Sequence, residues 1–448
     1  MPYFFNNPDT LQSKAVYADS KVASVACPSV TKDLECDIVI VGGGLAGLSL
    51  AYHLAQHGKK FILIESEKIG DCASGINGGF CSPGWSIDFE TLVRRYGSAT
   101  AKVFYQISLE GLQWISSFKN NKNFQSMECR SGIMNLSLLE SEMSARKKFL
   151  ANNPIVQSEA EFIPKKRLIN YVNSPLYRSG IFFKSGFSFN PLNFLNGLKN
   201  EITLKQPNSL FEKSKMVSFH ENYDSCTIKL TNGCSIKAEK LVIATGGYGG
   251  YESGYLRTRW LPVTTSIAVT SCLKKNVSEI INPQFAFSDD RRAGNYYRLI
   301  SKNRLLWGRG INAICCPNFK TLKKSVRKDI RTFFPNIVDE AGGALFDFEY
   351  MWSGKMAYSK SMMPYVGRLT SRTYSLMGFG GHGMNTAPAG AKVLSENLLG
   401  LSDRVNVFKK IPLHWNGYKF GPFAAELMYG LRSLKDGINR QMLRLTDF

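Results

Sequence analysis

The chain has 448 residues, of which 44% are hydrophobic, so it is long enough for two or three domains with a large core. The 56 Lys and Arg residues against 35 Asp and Glu give a net charge of +21. This charge suggests nucleic acids, anionic membranes or acidic substrates as partners. The basic residues form short, scattered clusters without interleaved aromatic residues, a pattern that does not favour nucleic-acid binding.

The cysteine pattern and the hydropathy indicate in which cellular compartment the protein is expected. The ten cysteines include no C-x-x-C pair, which argues against a zinc site and a disulfide scaffold, and five dispersed histidines argue against a metal centre. The first ten residues lack a basic run followed by an apolar stretch, and no window approaches 18 uninterrupted apolar residues. The sequence therefore predicts a reduced, cytoplasmic protein with no metal.

After polar residues 1–36, the segment 37–65 has the order strand, glycine turn, helix, strand and terminal acid. Residues 37–41 and 61–64 are short apolar runs rich in β-branched residues, and Gly42-x-Gly44-x-x-Gly47 lies between the first run and a predicted helix. This order is typical of a dinucleotide site, in which a pyrophosphate meets the N-terminus of the helix.

Each residue type in this segment has a physical reason. Gly42 allows a tight turn, Gly44 lets the backbone approach the pyrophosphate, and Gly47 lets the helix pack close to the sheet. Glu65, 18 residues after Gly47, can accept hydrogen bonds from ribose hydroxyls and disfavours a 2′-phosphate, so FAD or NAD is expected over NADP. The cofactor-binding residues predicted here are Gly42, Gly44, Leu45, Ala46, Gly47 and Glu65.

The remaining elements follow in chain order. Residues 99–118 have helical periodicity, and Thr231-Asn232-Gly233 is typical of a hairpin turn between runs 226–230 and 234–238. The apolar run 241–245 predicts a buried strand that ends at Thr245 and Gly246, where the backbone approaches the dinucleotide a second time. Residues 255–355 contain short runs that predict an antiparallel sheet, and glycine-rich residues 378–385 precede a helix at 388–399.

The C-terminal segment 423–445 predicts a basic amphipathic helix. Its apolar positions are 427, 428, 431, 434 and 438, and its basic residues are Arg432, Lys435, Arg440 and Arg444. Such a helix either packs on its own protein, the favoured interpretation, or makes a peripheral contact with a membrane surface.

Residues 69–79, I-G-D-C-A-S-G-I-N-G-G, resemble the glycine-rich flavin-contact segment of the D-amino-acid oxidase superfamily. Within it the chain looks most like the gamma-glutamylputrescine oxidase group, whose members commonly read G-A-S-G-R-N-G-G. Here Cys72 replaces the usual glycine and Ile76 the usual arginine. Further matching segments give coverage of about residues 17–400; they lie at 17–20, 94–97, 189–192, 297–299, 304–308, 352–354, 363–367 and 380–385.

The resemblance implies an FAD enzyme that combines α/β and α+β architecture. A Rossmann-like FAD-binding domain would be joined to an antiparallel-sheet substrate domain. The implied reaction oxidises a C–N bond of a small amine or amino acid by hydride transfer to flavin, followed by imine hydrolysis, with oxygen or another electron acceptor. Lys355, Met356 and Ala357 follow Gly354 where sarcosine oxidases carry a flavin-tethering cysteine, so non-covalent FAD is expected. Cys72 is an alternative tether, although a small buried thiol is the favoured interpretation.

The resemblance also implies further site residues. Those expected near the cofactor are Ser74, Asn77, Gly78, Gly79, Thr245, Gly246, Gly380, Gly381, His382, Gly383 and Met384. His382 is predicted either as a catalytic residue at the polar edge of the flavin or as a structural side chain. Arg298 and Arg309 are candidates for clamping a substrate carboxylate, and Tyr297 and Trp352 are candidate pocket walls.

The predicted domain division is discontinuous. Residues 1–36 form an N-terminal extension and residues 406–448 a C-terminal helical extension. The FAD-binding domain takes residues 37–90, 183–254 and 356–405, and the substrate domain takes 91–182 and 255–355.

Three other functions remain open from sequence. A flavin-containing tRNA-modification protein would suit the charge of +21 and predicts salt-sensitive tRNA binding. A flavoprotein monooxygenase shares the first glycine motif but normally carries a late Gly-Asp segment, which this sequence does not show. A basic membrane-associated binding protein would use the C-terminal helix.

Overall fold

The computed structural model describes residues 15–20, 22–249, 254–274, 276–291, 294–314, 318–337 and 346–431. The strands are β1 Leu34–Val41, β2 Phe61–Ile64, β3 Phe80–Cys81, β4 Arg130–Ser137, β5 Ala160–Pro164, β6 Ser179–Ser188, β7 Leu210–Phe211, β8 Met216–Glu221, β9 Cys226–Leu230, β10 Ser235–Ile243, β11 Leu261–Thr270, β12 Ala286–Asp289, β13 Tyr296–Ile300, β14 Arg304–Asn312, β15 Phe348–Tyr358, β16 Tyr365–Arg368 and β17 Thr373–Met377. The α-helices are α1 Leu45–Gln56, α2 Phe89–Tyr96, α3 Ser98–Ser117, α4 Ser141–Asn152, α5 Pro154–Gln157, α6 Lys165–Leu168, α7 Pro191–Lys205, α8 Gly254–Arg257, α9 Val277–Ile280, α10 Phe319–Phe333 and α11 Gly383–Leu398.

The first sheet has the strand order β16-β17-β10-β1-β2-β7, and its centre from β17 to β7 is parallel. The second half of β1, residues 38–41, is apolar and buried on both faces because both faces are covered. Ile38 and Ile40 pack with helices α1, α3, α7 and α11, whereas Val39 and Val41 pack with the antiparallel extension β8–β9. Parallel strands between two covering layers bring their carboxyl ends to one edge, where ligands bind in such folds.

The second sheet has the order β15-β11-β14-β13-β12-β4-β6-β3, and β5 pairs with β6. Neighbouring strands are antiparallel except for the parallel pair β4 and β12. Helix α10 covers one face of this sheet, where Val326 and Phe333 join a core with Tyr297 and Trp307. The two-sheet α/β and α+β class predicted from sequence is confirmed.

Most predicted local elements are present. The hairpin of β9 and β10 is confirmed, and the helix predicted at 99–118 is α3. Helix α11 begins at Gly383, earlier than the predicted 388, because its first turn is held by tertiary contacts: the side-chain Nδ2 of Asn385 donates to the carbonyls of Gly84 and Ser108 at 3.1 and 3.3 Å. Strand β6 crosses the predicted boundary at residue 183 and belongs entirely to the second sheet.

The structure describes only part of the helix predicted at residues 423–445. Residues 421–431 are helical, and the rest of the predicted segment, with Arg432, Lys435, Arg440 and Arg444, lies outside the described residues. Among the helices that the structure describes, none combines the length and apolarity needed to cross a bilayer. Within the same residues, His, Cys, Asp and Glu side chains form no group of three or more that could hold a metal ion.

Candidate active site

A cavity of about 750 Å³ is lined by both sheets. One part of its lining comes from the turn after β1, the end of β2 and the turn after β10. The other part comes from β11, β13, β14 and β15 of the second sheet. The volume is within the range of ~300–1,000 Å³ usual for small-molecule sites, and a dinucleotide that enters from the first sheet would reach the second.

The glycine turn fixes three chain segments against one another. Gly42 has φ of +116°, and a Cβ atom there would stand 2.6 Å from the carbonyl oxygen of Ala244 at the end of β10. A Cβ at Gly47 would stand 2.0 Å from the carbonyl oxygen of Gly42. Any side chain at either position would push apart the turn, α1 and β10. Gly47 does not line the cavity; it lets the helix approach the turn, as its spacing predicts.

The N-terminus of α1 faces the cavity. Leu45 and Ala46, the first two helical residues, both line it, and the first turn contains no acidic side chain. Ser74 Oγ accepts a hydrogen bond from the Leu45 N–H at 2.9 Å, and a Cβ at Gly44 would stand 2.9 Å from the same oxygen. Free N–H groups and the helix dipole favour an anion there, so a pyrophosphate fits this end of the cavity.

Glu65 lies at the end of β2 and is buried, but it still lines the cavity. Its Oε2 accepts from the Gly43 N–H at 2.7 Å, and its Oε1 accepts from the Ser66 hydroxyl at 2.9 Å and the Glu67 N–H at 3.1 Å. A carboxylate has about four lone-pair positions, so three donors orient it and leave capacity for a ribose hydroxyl. The ribose of a bound dinucleotide therefore fits beside Glu65.

The loop that resembles a flavin-contact segment is folded by one amide. Asn77 Nδ2 donates to the carbonyls of Ala73 and Ser74 at 3.0 and 2.7 Å, and its Oδ1 accepts from the Gly79 N–H at 2.8 Å. The predicted residues Ser74, Asn77 and Gly78 line the cavity. Gly79 does not, because it packs against Phe189, whose carbonyl oxygen would stand 2.0 Å from a Cβ at this position.

Arg298, predicted as a substrate clamp, is buried behind this loop and does not line the cavity. Its Nε donates to the Gly78 carbonyl at 3.0 Å, and its Nη2 donates to the Phe189 carbonyl at 3.0 Å and the Tyr17 hydroxyl at 3.3 Å. The Tyr17 hydroxyl in turn donates to the Asn77 carbonyl at 2.8 Å. The guanidinium therefore ties the second sheet and the N-terminal segment to the cavity-lining loop.

Arg309, the other predicted clamp, lies on the opposite face of the second sheet. Its Nε is 3.3 Å from Asp329 Oδ2 on α10, and it does not line the cavity. Alternation along β14 explains this, since Trp307 and Arg309 share the face toward α10 while Gly308 faces Tyr296. The structure thus brings neither predicted guanidinium to the cavity.

Strand β13 shows the same alternation. Tyr297 is stacked on Trp307 with ring centroids 4.7 Å apart, in the core under α10, and does not reach the cavity. Tyr296 lines the cavity, and Cβ atoms at Gly78 and Gly308 would stand 2.8 and 1.9 Å from its ring. The two glycines therefore make room for the Tyr296 ring. Because side chains alternate between the two faces of a strand, a core position for Tyr297 would have predicted that Tyr296 faces the cavity.

Arg291 is a cavity-lining cation that sequence reasoning missed. It follows β12, and its Nε donates to Asp289 Oδ1 at 2.9 Å while its Nη2 pairs with Asp289 Oδ2. The side chains are 10% and 0% exposed, so the pair is shielded from water, and Nη1 takes no part in it. Trp352, predicted as a wall, also lines the cavity and donates from Nε1 to the Ile76 carbonyl at 2.5 Å.

The late glycine cluster completes the lining. The predicted residues of this cluster that line the cavity are Gly380, Gly381, His382, Gly383 and Met384, and the predicted Thr245 and Gly246 after β10 line it as well. The Nε2 of His382 lies 3.2 Å from the Ser82 carbonyl oxygen, an acceptor that requires the proton on Nε2. Burial lowers the pKa of His382, so the imidazole is neutral at physiological pH and its Nε2–H is used by the backbone.

Cys72 also lines the cavity. Burial, reinforced by the negative charges of Glu65 and Asp71, raises the pKa of the Cys72 thiol to about 12. The thiolate is the nucleophilic form of cysteine, so this shift disfavours Cys72 as a nucleophile at neutral pH.

A glycine turn of dinucleotide-binding type that shares a cavity with a second, largely antiparallel sheet is the arrangement expected of a flavin-dependent oxidoreductase. In agreement with this geometry, a family model described as FAD dependent oxidoreductase matches residues 37–397. The chain belongs to that family, the predicted relationship to D-amino-acid oxidases is confirmed, and FAD is the cofactor.

Known proteins support the same assignment. The chain is 26% identical over 408 residues to gamma-glutamylputrescine oxidoreductase of Escherichia coli strain K12, covering 90% of this chain and 93% of that protein. The structure of glycine oxidase from Geobacillus kaustophilus matches with a TM-score of 0.68 at 15% identity, covering 83% of this chain and 96% of that one. The structure of L-proline dehydrogenase from P. horikoshii matches with a TM-score of 0.66 at 18% identity, covering 88% of this chain and 98% of that one. The structural matches establish the fold.

Replacing Arg298 tests its link to the cofactor loop. We expect Arg298→Met to raise the Kd for FAD roughly tenfold to a hundredfold, because each hydrogen bond from a charged group is worth about 1.5–3 kcal/mol. Quenching of flavin fluorescence on titration into apoprotein measures the Kd, and the thermal midpoint of the apoprotein checks folding. The matched control is Arg309→Met on the neighbouring strand, which should bind FAD like wild type. An equal loss in both variants would contradict the assigned role.

Proposed function

We propose that this protein oxidises a carbon–nitrogen bond of a small amine or amino acid, with hydrolysis of the resulting imine to a carbonyl compound. The observation that carries the proposal is the continuity of the cavity from the Glu65 cradle to Tyr296 and Trp352 on the second sheet. Similarity to gamma-glutamylputrescine oxidoreductase over 90% of the chain supports an amine as the substrate class.

The chemistry needs positioning more than acid–base groups. When bound, FAD supplies the acceptor for a hydride from the carbon beside the nitrogen. The residues of the chain then have to hold a neutral amine with that C–H bond toward the cofactor and keep water out. Neutral His382, whose Nε2–H is bound to the Ser82 carbonyl, is not required as a base in this reaction.

The chamber on the substrate side is mostly apolar. Phe80, Ile267, Tyr296 and Trp352 line it, and the Phe80 and Tyr296 rings meet edge to face with centroids 5.5 Å apart. Burial raises the pKa of Tyr296 to about 12, so its phenol stays protonated and neutral. Such walls exclude water and lower the cost of holding an amine in its uncharged form.

We assign the polar end of the substrate to Arg291 instead of Arg298 or Arg309. Asp289 binds Nε and Nη2 of Arg291, which fixes the plane of the guanidinium and leaves Nη1 for a carboxylate or carbonyl oxygen of the substrate. Because Asp289 offsets the charge, the site suits a polar or zwitterionic end as well as a carboxylate.

Anaerobic reduction by candidate substrates tests the proposed reaction. We expect the flavin absorbance of the purified protein to bleach with one class among N-substituted amino acids, polyamines and γ-glutamyl polyamines, because hydride transfer reduces the flavin without oxygen. Stopped-flow absorbance measures the rate. A flavin that dithionite reduces and none of these amines reduces would contradict the proposal.

A matched pair of variants locates the substrate in this assay. Arg291→Lys should raise KM about tenfold for substrates with a distal carboxylate or amide and leave kcat nearly unchanged, because lysine loses the forked geometry. Arg368→Lys, which alters an arginine on β16 of the first sheet outside the cavity lining, should leave both constants unchanged.

We propose that FAD is held non-covalently, because the Cys72 thiol is kept protonated. Acid precipitation should release all flavin into the supernatant, measured by its absorbance, from wild type and from Cys72→Ser alike. Flavin that stays with the wild-type pellet and is released from the Cys72→Ser variant would show that Cys72 is a tether.

A further inference from the structure

The C-terminal helical segment, residues 421–431, presents its apolar residues to solvent. We call five side chains the outer face; they are Phe420, Phe423, Leu427, Met428 and Leu431, exposed by 77%, 63%, 67%, 40% and 60%. Three of them follow the spacing i, i+4, i+8, which places them in a row along one side of the helix. Helices of globular proteins normally turn such a row toward the core.

This orientation is fixed by contacts on the other side of the helix. Ala425 is buried, and Glu426 Oε2 accepts a hydrogen bond from the Ala313 N–H at 2.7 Å, just beyond β14. Before the helix, Asn416 Nδ2 donates to the Trp260 carbonyl at 2.6 Å. The helix is therefore anchored by its small and polar residues, and its apolar residues are left outside.

Aromatic and cationic residues lie just before the helix and in residues 255–260, two of whose carbonyls accept from Asn416. Trp415 and Tyr255 are 57% and 51% exposed. The Arg259 guanidinium carbon lies 4.3 Å from the centre of the Tyr255 ring, and Lys419, next to Phe420, is exposed. Apolar residues that insert, aromatic rings at the edge and cations beside them are the combination found where a protein lies on a lipid headgroup region.

The charge of the chain favours an anionic membrane over a second copy of the chain as the partner of the outer face. The net charge is +21, and the only acid in residues 420–431 is Glu426, which is bound to Ala313. Two copies that each carry a net charge of +21 repel each other, whereas an anionic bilayer attracts the chain. In sequence, residues 432–448 add Arg432, Lys435, Arg440 and Arg444 against Asp436 and Asp447, four cations less two acids or +2.

We propose that the outer face docks on an anionic lipid surface, with Phe423, Leu427 and Leu431 inserted among the acyl chains and the neighbouring cations among the headgroups. Apolar burial supplies the hold, and charge selects the lipid.

Vesicle flotation of the full-length, FAD-loaded protein tests this proposal. We expect the protein to float with phosphatidylcholine vesicles that contain phosphatidylglycerol and to stay behind with phosphatidylcholine alone. The double variant Leu427→Ser/Leu431→Ser should lower the floating fraction about tenfold, because two of the inserting side chains are lost. The control is Leu204→Ser, which changes an equally exposed leucine on α7, 74% accessible, and should float like wild type.

Each other outcome overturns the proposal. A wild-type protein that does not float, or a double variant that floats like wild type, would show that this face does not bind lipid. Equal flotation with neutral vesicles would remove the role of charge. A wild-type dimer that the double variant converts to a monomer in sedimentation velocity would make a second copy the occupant. A thermal midpoint that falls in the double variant alone would show that the chain itself covers this face.

Discussion

The contact between the turn at Gly42, the start of α1 and the end of β10 sets the geometry of the proposed cofactor site. No Cβ fits at Gly42 or Gly47, because the first would meet the Ala244 carbonyl and the second the Gly42 carbonyl. This close approach directs the helix N-terminus into the cavity and brings Thr245 and Gly246 to its lining. Glu65 then fastens the turn from the next strand through the Gly43 N–H. One steric constraint therefore places the N-terminus of α1 and the Glu65 carboxylate together in the cavity lining.

The second sheet is held against this cradle by hydrogen bonds to the carbonyls of residues 76–78. Arg298 holds the Gly78 carbonyl, Tyr17 holds the Asn77 carbonyl, and Trp352 holds the Ile76 carbonyl. These three side chains come from distant parts of the sequence and reach consecutive peptide groups. The cavity face that we propose for the substrate and the loop that we propose for the cofactor are therefore held as one unit. Because Arg298 satisfies buried carbonyls, it is not available to a substrate.

The strands, glycine turn and helix around the cavity could be predicted from the sequence because their signals are local. The spacing of Gly42, Gly44 and Gly47, the following acid and the hairpin before β10 each depend on a few neighbouring residues. The substrate side depends on which face of a strand points inward. Tyr296 and Tyr297 are equivalent by residue type, and so are Arg298 and Arg309, until the packing of α10 on one face decides between them. The pairing of Arg291 with Asp289 and the reach of Tyr17 to Asn77 are likewise products of tertiary folding.

The visible absorption spectrum of the purified protein, with the FAD content per chain, tests the central claim most directly. The account predicts a yellow protein that holds about one FAD per chain, or a colourless one that becomes yellow on incubation with FAD. A folded protein that neither contains nor takes up FAD, or that binds NAD in its place, would contradict the assignment of the cradle between Gly42 and Glu65.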